Sequence, residues 1–282
     1  MTAVRTYQRK CSPHPELVRK LLHVGMGLVA LTLPWLFESA AQAFALAGLF
    51  IVLLVALRTS KRLEQLLGGV LNAVQRESWG EIYFAMGVST VFLLSAGDRL
   101  LFCTPILILA LADAAAALVG LHYGRVCYWS GGRKTIEGSA AFFLVAFLCT
   151  HVALLLFTQI GRAETILSAL MIGVLLTPLE AVSRRGLDNL IIPLGSFVLL
   201  KTYLGMDSSA LAASLGVAVG LLTAAFCSRH WILRSSTVVR AIFLAILGWA
   251  FTAVVRLFFL VLSLVAYGVF FSREAVQGRG KT

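Results

Sequence analysis

Long apolar runs separated by short polar segments occupy most of the chain. A helix needs about 20 apolar residues to cross a bilayer. Runs near that length lie at 17–37, 40–57, 80–97, 100–122, 139–160, 164–182, 190–205 and 208–227. The pattern therefore predicts an all-α polytopic membrane protein with about eight to ten transmembrane helices.

Two further segments have a distinct pattern. The apolar run 238–271 would be roughly 50 Å long as one helix, which exceeds a hydrocarbon core of about 30 Å. Because Arg256 interrupts this run, we expect a hairpin of two short spans, with one long kinked helix as the alternative. Residues 61–74 carry leucines and valines at helical spacing, which predicts an amphipathic helix lying on the membrane surface.

Composition supports a membrane protein and excludes two other classes. Of the 282 residues, 59% are hydrophobic and 13% are charged. A soluble domain has about 45–50% apolar and about 25% charged residues, so it would be unable to bury this much apolar surface. The low share of charged residues also argues against a disordered chain.

The net charge of +11 would suggest nucleic-acid binding in a soluble protein. The distribution of the basic residues along the chain is better explained by their accumulation on one side of a membrane. Seventeen basic residues fall in the leader and the loops on one side of the predicted spans, whereas Arg99, Arg162 and Lys201 alone lie on the other. Because Lys and Arg accumulate in cytoplasmic loops, we expect a cytoplasmic N-terminus and no nucleic-acid partner.

Asp113 lies inside the fourth predicted span, where an ionisable group is costly unless it is paired or hydrated. On a helix, Asp113, Ala116, Gly120 and Gly124 fall within about 80° of one another. The Asp113 carboxylate therefore lies at the start of a helical face whose other residues, Ala116, Gly120 and Gly124, have small or no side chains. We call this face the glycine strip. It would let a phosphate chain and a Mg²⁺ ion approach the backbone. The alternative is a close helix–helix contact through small residues.

The loop that follows reads RVCYWSGGRKTIEGS over residues 125–139. Paired glycines before a basic pair suit phosphate binding through backbone N–H groups and a point charge. The next span begins near Glu137, and its N-terminus adds a positive partial charge at the same place. A solvated basic turn with Glu137 as a first-turn acid is the alternative.

A third cluster occupies residues 177–195. Glu180 lies late in the sixth span, and Asp188 and Asn189 stand at the start of the seventh. Carboxylate and amide oxygens are hard ligands that suit Mg²⁺. The alternative is a positively charged cytoplasmic loop with a helix cap.

Two more polar segments enter spans, at 16–27 and 80–88. In the first, Lys20 and His23 share one helical face, although a buried histidine that only packs and hydrogen-bonds is the alternative. All five clusters fall at the predicted cytoplasmic ends of the spans. A transporter would more often place such groups near the bilayer midplane, whereas an enzyme using a cytosolic nucleotide and a lipid would place them here.

Residues 113–138 resemble the nucleotide signature of the membrane lipid kinases, a group that includes phytol kinase, dolichol kinase and CTP-dependent diacylglycerol kinase. That signature is D-x-x-A-x-x-x-G-x-x-x-G, eight residues, a basic pair and T-x-E-G, and the chain departs from it at Arg133, where dolichol kinases usually have lysine. Segments 16–27, 80–88 and 179–194 look most like the phytol kinase branch. The resemblance covers about residues 16–205 and is faint beyond them.

The resemblance implies a kinase that transfers the terminal phosphoryl group of CTP, or of another nucleoside triphosphate, to a lipid alcohol with the help of Mg²⁺. It assigns catalysis to Asp113, Glu180, Asp188 and Lys134, with Asp188 orienting or deprotonating the hydroxyl. It assigns Mg²⁺ to Asp113 and Glu180, with Glu137 as a third ligand. The expected nucleotide- or lipid-contacting residues are Lys20, His23, Gly120, Gly124, Arg133, Lys134, Thr135, Glu137, Gly138 and Asn189.

Phytol or another prenol is the expected acceptor, with dolichol or diacylglycerol as alternatives. A CDP-lipid synthase shares the K-T-x-E-G element, but the P-G-H-G-G and aspartate-arginine elements of that family are missing. A small-anion transporter is disfavoured because the two halves show no inverted repeat.

We expect one membrane domain over residues 1–282, with a leader at 1–15, a catalytic core at 16–205, additional spans at 206–272 and a disordered tail at 273–282. The leader does not resemble a transit peptide, which favours a prokaryotic inner membrane. We expect the active site to face the cytoplasm.

Overall fold

A computed structural model describes residues 15–37, 80–127, 134–183 and 186–227, together with the isolated positions 42 and 48. Within these residues every regular element is helical, apart from one isolated bridge between Cys127 and Thr135. The helices are α1 Pro15–Leu31, α2 Leu33–Leu36, α3 Gly80–Ser95, α4 Arg99–Leu107, a π segment Ile108–Ala112, α5 Asp113–Tyr123, α6 Ile136–Phe157, α7 Arg162–Val182, α8 Asp188–Tyr203 and α9 Ser208–Cys227. The predicted all-α class is confirmed.

Three helices in the described part of the chain are long and apolar enough to cross a membrane, namely Arg99–Tyr123, Ile136–Phe157 and Arg162–Val182. Shorter apolar helices occupy Gly80–Ser95 and Ser208–Gly220. The protein is thus an all-α membrane protein. The predicted span 40–57 (apart from positions 42 and 48), the surface helix 61–74, the stretch 238–271 and the tail 273–282 lie outside the described residues, and the orientation in the membrane stays a prediction.

The helix ends follow local sequence signals. Asp98 caps α4, because its carboxylate accepts hydrogen bonds from the backbone N–H groups of Leu100 and Leu101 at 2.9 and 3.1 Å. Thr135 caps α6 in the same way by accepting from Gly138 N at 3.1 Å. Before α8, Gly186 adopts a φ of 85°, a left-handed conformation that glycine takes at little cost.

The continuous helix formed by α4, the π segment and α5 is the centre of the bundle. It contacts α1 on one side and α6 on another, while α8 packs on α3 and α4, and α7 packs on α6, α8 and α9. Pro105 within α4 lacks an N–H group and precedes the π segment, whose wider turn places Asp113 at the start of α5. Core side chains from this region include Phe102, Ile106, Ile108 and Leu109, each at most 1% exposed.

The packing of α3 on α8 is unusually close. A Cβ on Gly87 would lie 2.5 Å from the carbonyl oxygen of Asn189 and 3.0 Å from a ring carbon of Pro193. Glycine at this position therefore lets the two backbones approach, and it holds the start of α8, where Asp188 lies, against α3.

Candidate active site

Six ionisable side chains from five helical regions meet at the end of the bundle where α5 and α8 begin and α6 follows its loop. They come from α1, the junction of the π segment with α5, the residue before the α6 cap, the last turn of α7 and the first residue of α8. The six are Lys20, His23, Asp113, Lys134, Glu180 and Asp188. The sequence predicted all six as site residues.

Asp113 is 2% exposed and is held from α1. The Lys20 ammonium donates to its Oδ2 oxygen at 2.5 Å, and both side chains are buried. His23 Nε2 lies 3.5 Å from the same oxygen and 3.3 Å from the carbonyl oxygen of Leu109. A buried carboxylate is thus compensated by a buried ammonium group, the condition under which a charge tolerates a low-dielectric site.

Lys134 forms the second half of the cluster. Its ammonium group is hydrogen-bonded to Oε1 of Glu180 and lies 3.7 Å from Oδ2 of Asp188. The Glu180 side chain is only 2% exposed, whereas that of Lys134 is 27% exposed. Ser139 Oγ donates to the other Glu180 oxygen at 3.4 Å.

The electrostatic environment favours a charged Lys134. Burial acts to lower the pKa of the amine, but the neighbouring carboxylates of Glu180, Asp188 and Asp113 outweigh it and raise the pKa above its usual range. Lys134 is therefore positively charged at neutral pH, and its partial exposure leaves it accessible to an anionic ligand. Because Asp113 also acts on it, the two halves form one electrostatic unit.

The glycine strip of α5 is covered by the start of α6. A Cβ on Gly120 would lie 3.1 Å from Thr135 Oγ1, and one on Gly124 would lie 2.6 Å from Thr135 Cγ2. A Cβ on Gly138 would lie 2.7 Å from the Ala116 carbonyl oxygen. These glycines thus allow a close helix–helix contact, which was the alternative interpretation of the strip, and they fix Lys134 beside Glu180. Nucleotide binding by their backbone stays a prediction.

Two predicted ligands make other contacts. The half-buried Glu137 carboxylate accepts weak hydrogen bonds from Val126 N at 3.3 and 3.4 Å, and so closes the base of the loop. Asn189 donates from Nδ2 to the Gly80 carbonyl oxygen at 2.8 Å, which ties α8 to α3. Among the described residues no group of three or more His, Cys, Asp and Glu side chains is arranged to hold a metal ion. The role of Glu137 as a third Mg²⁺ ligand stays a prediction.

Residues 128–133 lie outside the described part of the chain, so the predicted phosphate contacts of Arg133 and the paired glycines stay predictions. The ends of this loop are joined by the hydrogen bond from Ile136 N to the Val126 carbonyl oxygen at 2.9 Å. Sequence reasoning missed Ser139, although it directly follows the T-x-E-G element on the first turn of α6 and is 4% exposed.

The chain is similar to two curated proteins of related activity. A phytol kinase from Synechocystis sp. is 34% identical over 184 residues, which cover 64% of this chain and 76% of that protein. A dolichol kinase from Saccharomyces cerevisiae is 33% identical over 73 residues, 26% of this chain and 13% of that protein. No family model matches the chain, and no solved structure matches it. The extent of the first similarity shows that the chain belongs to the phytol kinase family.

Proposed function

We propose that this protein transfers the terminal phosphoryl group of CTP to a prenyl-type lipid alcohol such as phytol. Membership of the family supports a nucleotide-dependent kinase that acts on a lipid alcohol. The observation that carries the finer proposal is the position of Lys134, an accessible cation that contacts Glu180 and Asp188 at one end of a membrane-embedded bundle. Phosphoryl transfer requires mainly positioning and charge neutralisation, and this cluster supplies both.

In this proposal Lys134 binds the nucleotide polyphosphate, with Arg133 as a second cation. The lipid hydroxyl oxygen attacks the terminal phosphorus, the bond from that phosphorus to the bridging oxygen breaks, and a nucleoside diphosphate leaves. The hydroxyl proton passes to the Asp188 carboxylate, which is closer to solvent than Glu180 is. Asp188 is therefore the proposed base.

The donor chemistry of the cluster fits Mg²⁺. Three carboxylates (Asp113, Glu180 and Asp188) act on Lys134, whereas Lys20 and Lys134 are the two lysine ammonium groups that contact them. Mg²⁺ is usually held by one or two carboxylates together with substrate phosphates. We propose that Asp113 and Glu180 would hold it, and that the bound ion would supply positive charge beside the transferred phosphoryl group.

A transfer assay on the purified protein tests the proposal. CTP, ATP and UTP are each offered with phytol, farnesol, a long polyprenol and diacylglycerol, with the label on the terminal phosphate. We expect labelled prenyl phosphate, with CTP and phytol as the best pair. A parallel reaction with phosphatidate as the acceptor and CTP labelled on the α-phosphate separates a kinase from a CDP-lipid synthase, because only the latter transfers that label to lipid. Absence of labelled lipid from every pair would refute the proposal.

A further inference from the structure

His23 makes contacts that neither lipid nor nucleotide binding accounts for. It lies on α1, one turn after Lys20, and is 6% exposed. Its ring packs edge-on against Phe84, with ring centroids 5.4 Å apart and an angle of 74° between the planes. This contact limits rotation of the imidazole and sets the direction in which Nε2 points.

The Nε2 nitrogen faces two acceptors at once. One is the carbonyl oxygen of Leu109 at 3.3 Å, and the other is Oδ2 of Asp113 at 3.5 Å. A carbonyl oxygen only accepts hydrogen bonds, so the contact requires a hydrogen on Nε2. The imidazole therefore donates to the backbone of the π segment while the same nitrogen lies 3.5 Å from the Asp113 carboxylate.

A second contact, which does not involve His23, also indicates that α1 packs closely on the π segment and holds it in place. A Cβ on Gly27, one turn after His23, would overlap the Ala110 side chain, so only glycine allows this approach. Leu109 and Ala110 belong to the π segment, and the helix returns to α geometry at Asp113. Such π turns interrupt the regular backbone hydrogen bonds and are frequent at functional sites.

Both α1 groups act on the same carboxylate oxygen. Lys20 and His23 contact Oδ2 of Asp113, and Oδ1 takes part in neither contact. A carboxylate fixed through one oxygen presents the other in a constant direction. That is what a metal- or phosphate-facing group requires, since small displacements in a phosphoryl-transfer site lower the rate strongly.

We propose that His23 is a positioning residue, whose Nε2–H group holds the Leu109 carbonyl and the Oδ2 edge of Asp113 so that Oδ1 faces the reacting phosphates. This inference rests on the proposed function for the role of Asp113. The earlier expectation, that His23 contacts the lipid head or the nucleotide, is the alternative that the kinetics distinguish from it. Lys20 supplies the charge that compensates the Asp113 carboxylate, and His23 fixes the orientation of that carboxylate.

Steady-state kinetics of two His23 variants test this role. His23→Leu removes the N–H donor, whereas His23→Gln keeps an amide N–H near the Nε2 position. We expect His23→Leu to lower kcat by about 10–100-fold, the usual effect of removing a group that orients a ligand-binding side chain. The KM for nucleotide and for lipid should change less than about threefold, because His23 touches neither. His23→Gln should recover most of the lost kcat.

His151→Leu is the matched control. His151 lies on α6 about 22 Å along the helix from Ile136, and its ring stacks on Phe147. We expect its kcat to equal that of the wild type. A rise in KM with unchanged kcat in His23→Leu would overturn the proposal in favour of direct substrate contact. Equal losses of kcat in His23→Leu and His23→Gln, with equal losses of thermal stability, would overturn it in favour of packing.

A spectroscopic measurement decides the proposal independently of turnover. In protein labelled with ¹⁵N-histidine, the His23 resonances are assigned by their absence from the His23→Gln spectrum. We expect a hydrogen on Nε2, and a changed Nε2 shift in Asp113→Asn. A tautomer with hydrogen on Nδ1 alone would overturn the inference even if the protein phosphorylates prenols. If the wild type transfers no phosphate, the proposed function fails while this spectrum still tests the geometry.

Discussion

Replacing Lys134 by methionine removes the ammonium group that lies between Glu180 and Asp188 while keeping much of the side-chain length. Glu180, at 2% exposure, would then be a buried carboxylate that keeps only the 3.4 Å contact from Ser139. Removing one partner of a buried ion pair costs about 3–5 kcal/mol. Because Lys134 is 27% exposed and water can reach the site, we expect about 2–3 kcal/mol.

A double-mutant cycle separates this interaction from the other effects of each substitution. Glu180→Gln alone should also destabilise the protein, because it leaves Lys134 with the Asp188 contact at 3.7 Å. The Lys134→Met and Glu180→Gln double variant should be less destabilised than the sum of the two single variants, with a coupling of at least about 1.5 kcal/mol.

The free energy of unfolding is measured for the wild type, the two single variants and the double variant. Detergent-solubilised protein is titrated with a denaturing detergent, and tryptophan fluorescence reports its unfolding. The control pair is Ser139→Ala combined with Asp98→Ala, because Asp98 caps the opposite end of α4 and should add independently. If the changes in unfolding free energy of Lys134→Met and Glu180→Gln add within about 0.5 kcal/mol, the Lys134–Glu180 ion pair is refuted.

Three further predictions concern the packing around the site. Gly138→Ala places a methyl group 2.7 Å from the Ala116 carbonyl oxygen, so we expect a loss of about 1–3 kcal/mol in the same unfolding assay; wild-type stability would contradict the α5–α6 contact. Asn189→Ala loses the bond to Gly80 and should cost about 1 kcal/mol; a raised nucleotide KM at unchanged stability would instead assign Asn189 to the phosphates. Asp98→Ala should cost about 1 kcal/mol through the lost helix cap and leave kcat unchanged. A reduced kcat would contradict the placement of the active site at the end of the bundle away from Asp98.

The individual charged residues of the site could be predicted from the sequence, but their pairing could not. Asp113 and Glu180 stand out because acids are costly within apolar runs, and Asp188 stands out as a hard oxygen ligand at the start of the seventh predicted span. Lys20 and Asp113 are 93 positions apart, and no local pattern indicates that α1 packs on the π segment. Their contact depends on how the helices assemble, which a single sequence does not specify.

The glycine strip shows a second limit of sequence reasoning. Helical geometry correctly places Gly120 and Gly124 on one face, but it does not say what covers that face. The structure places Thr135 and Gly138 against it, so the start of α6 packs on the strip. The signature therefore has a structural component, because it builds the α5–α6 junction that holds Lys134 in place.

Asp188 gives the most direct test of the central claim, that this cluster transfers phosphate to a lipid alcohol. Its removal leaves the contact of Lys134 with Glu180, whereas removal of the Asp113 charge would leave Lys20 buried without its contact to that carboxylate. We compare kcat of the wild type and Asp188→Asn with terminally labelled CTP and phytol. We expect labelled phytyl phosphate from the wild type and a decrease of at least about 100-fold in the variant, as for loss of a general base, at near wild-type stability. Wild-type turnover by Asp188→Asn would contradict the central claim.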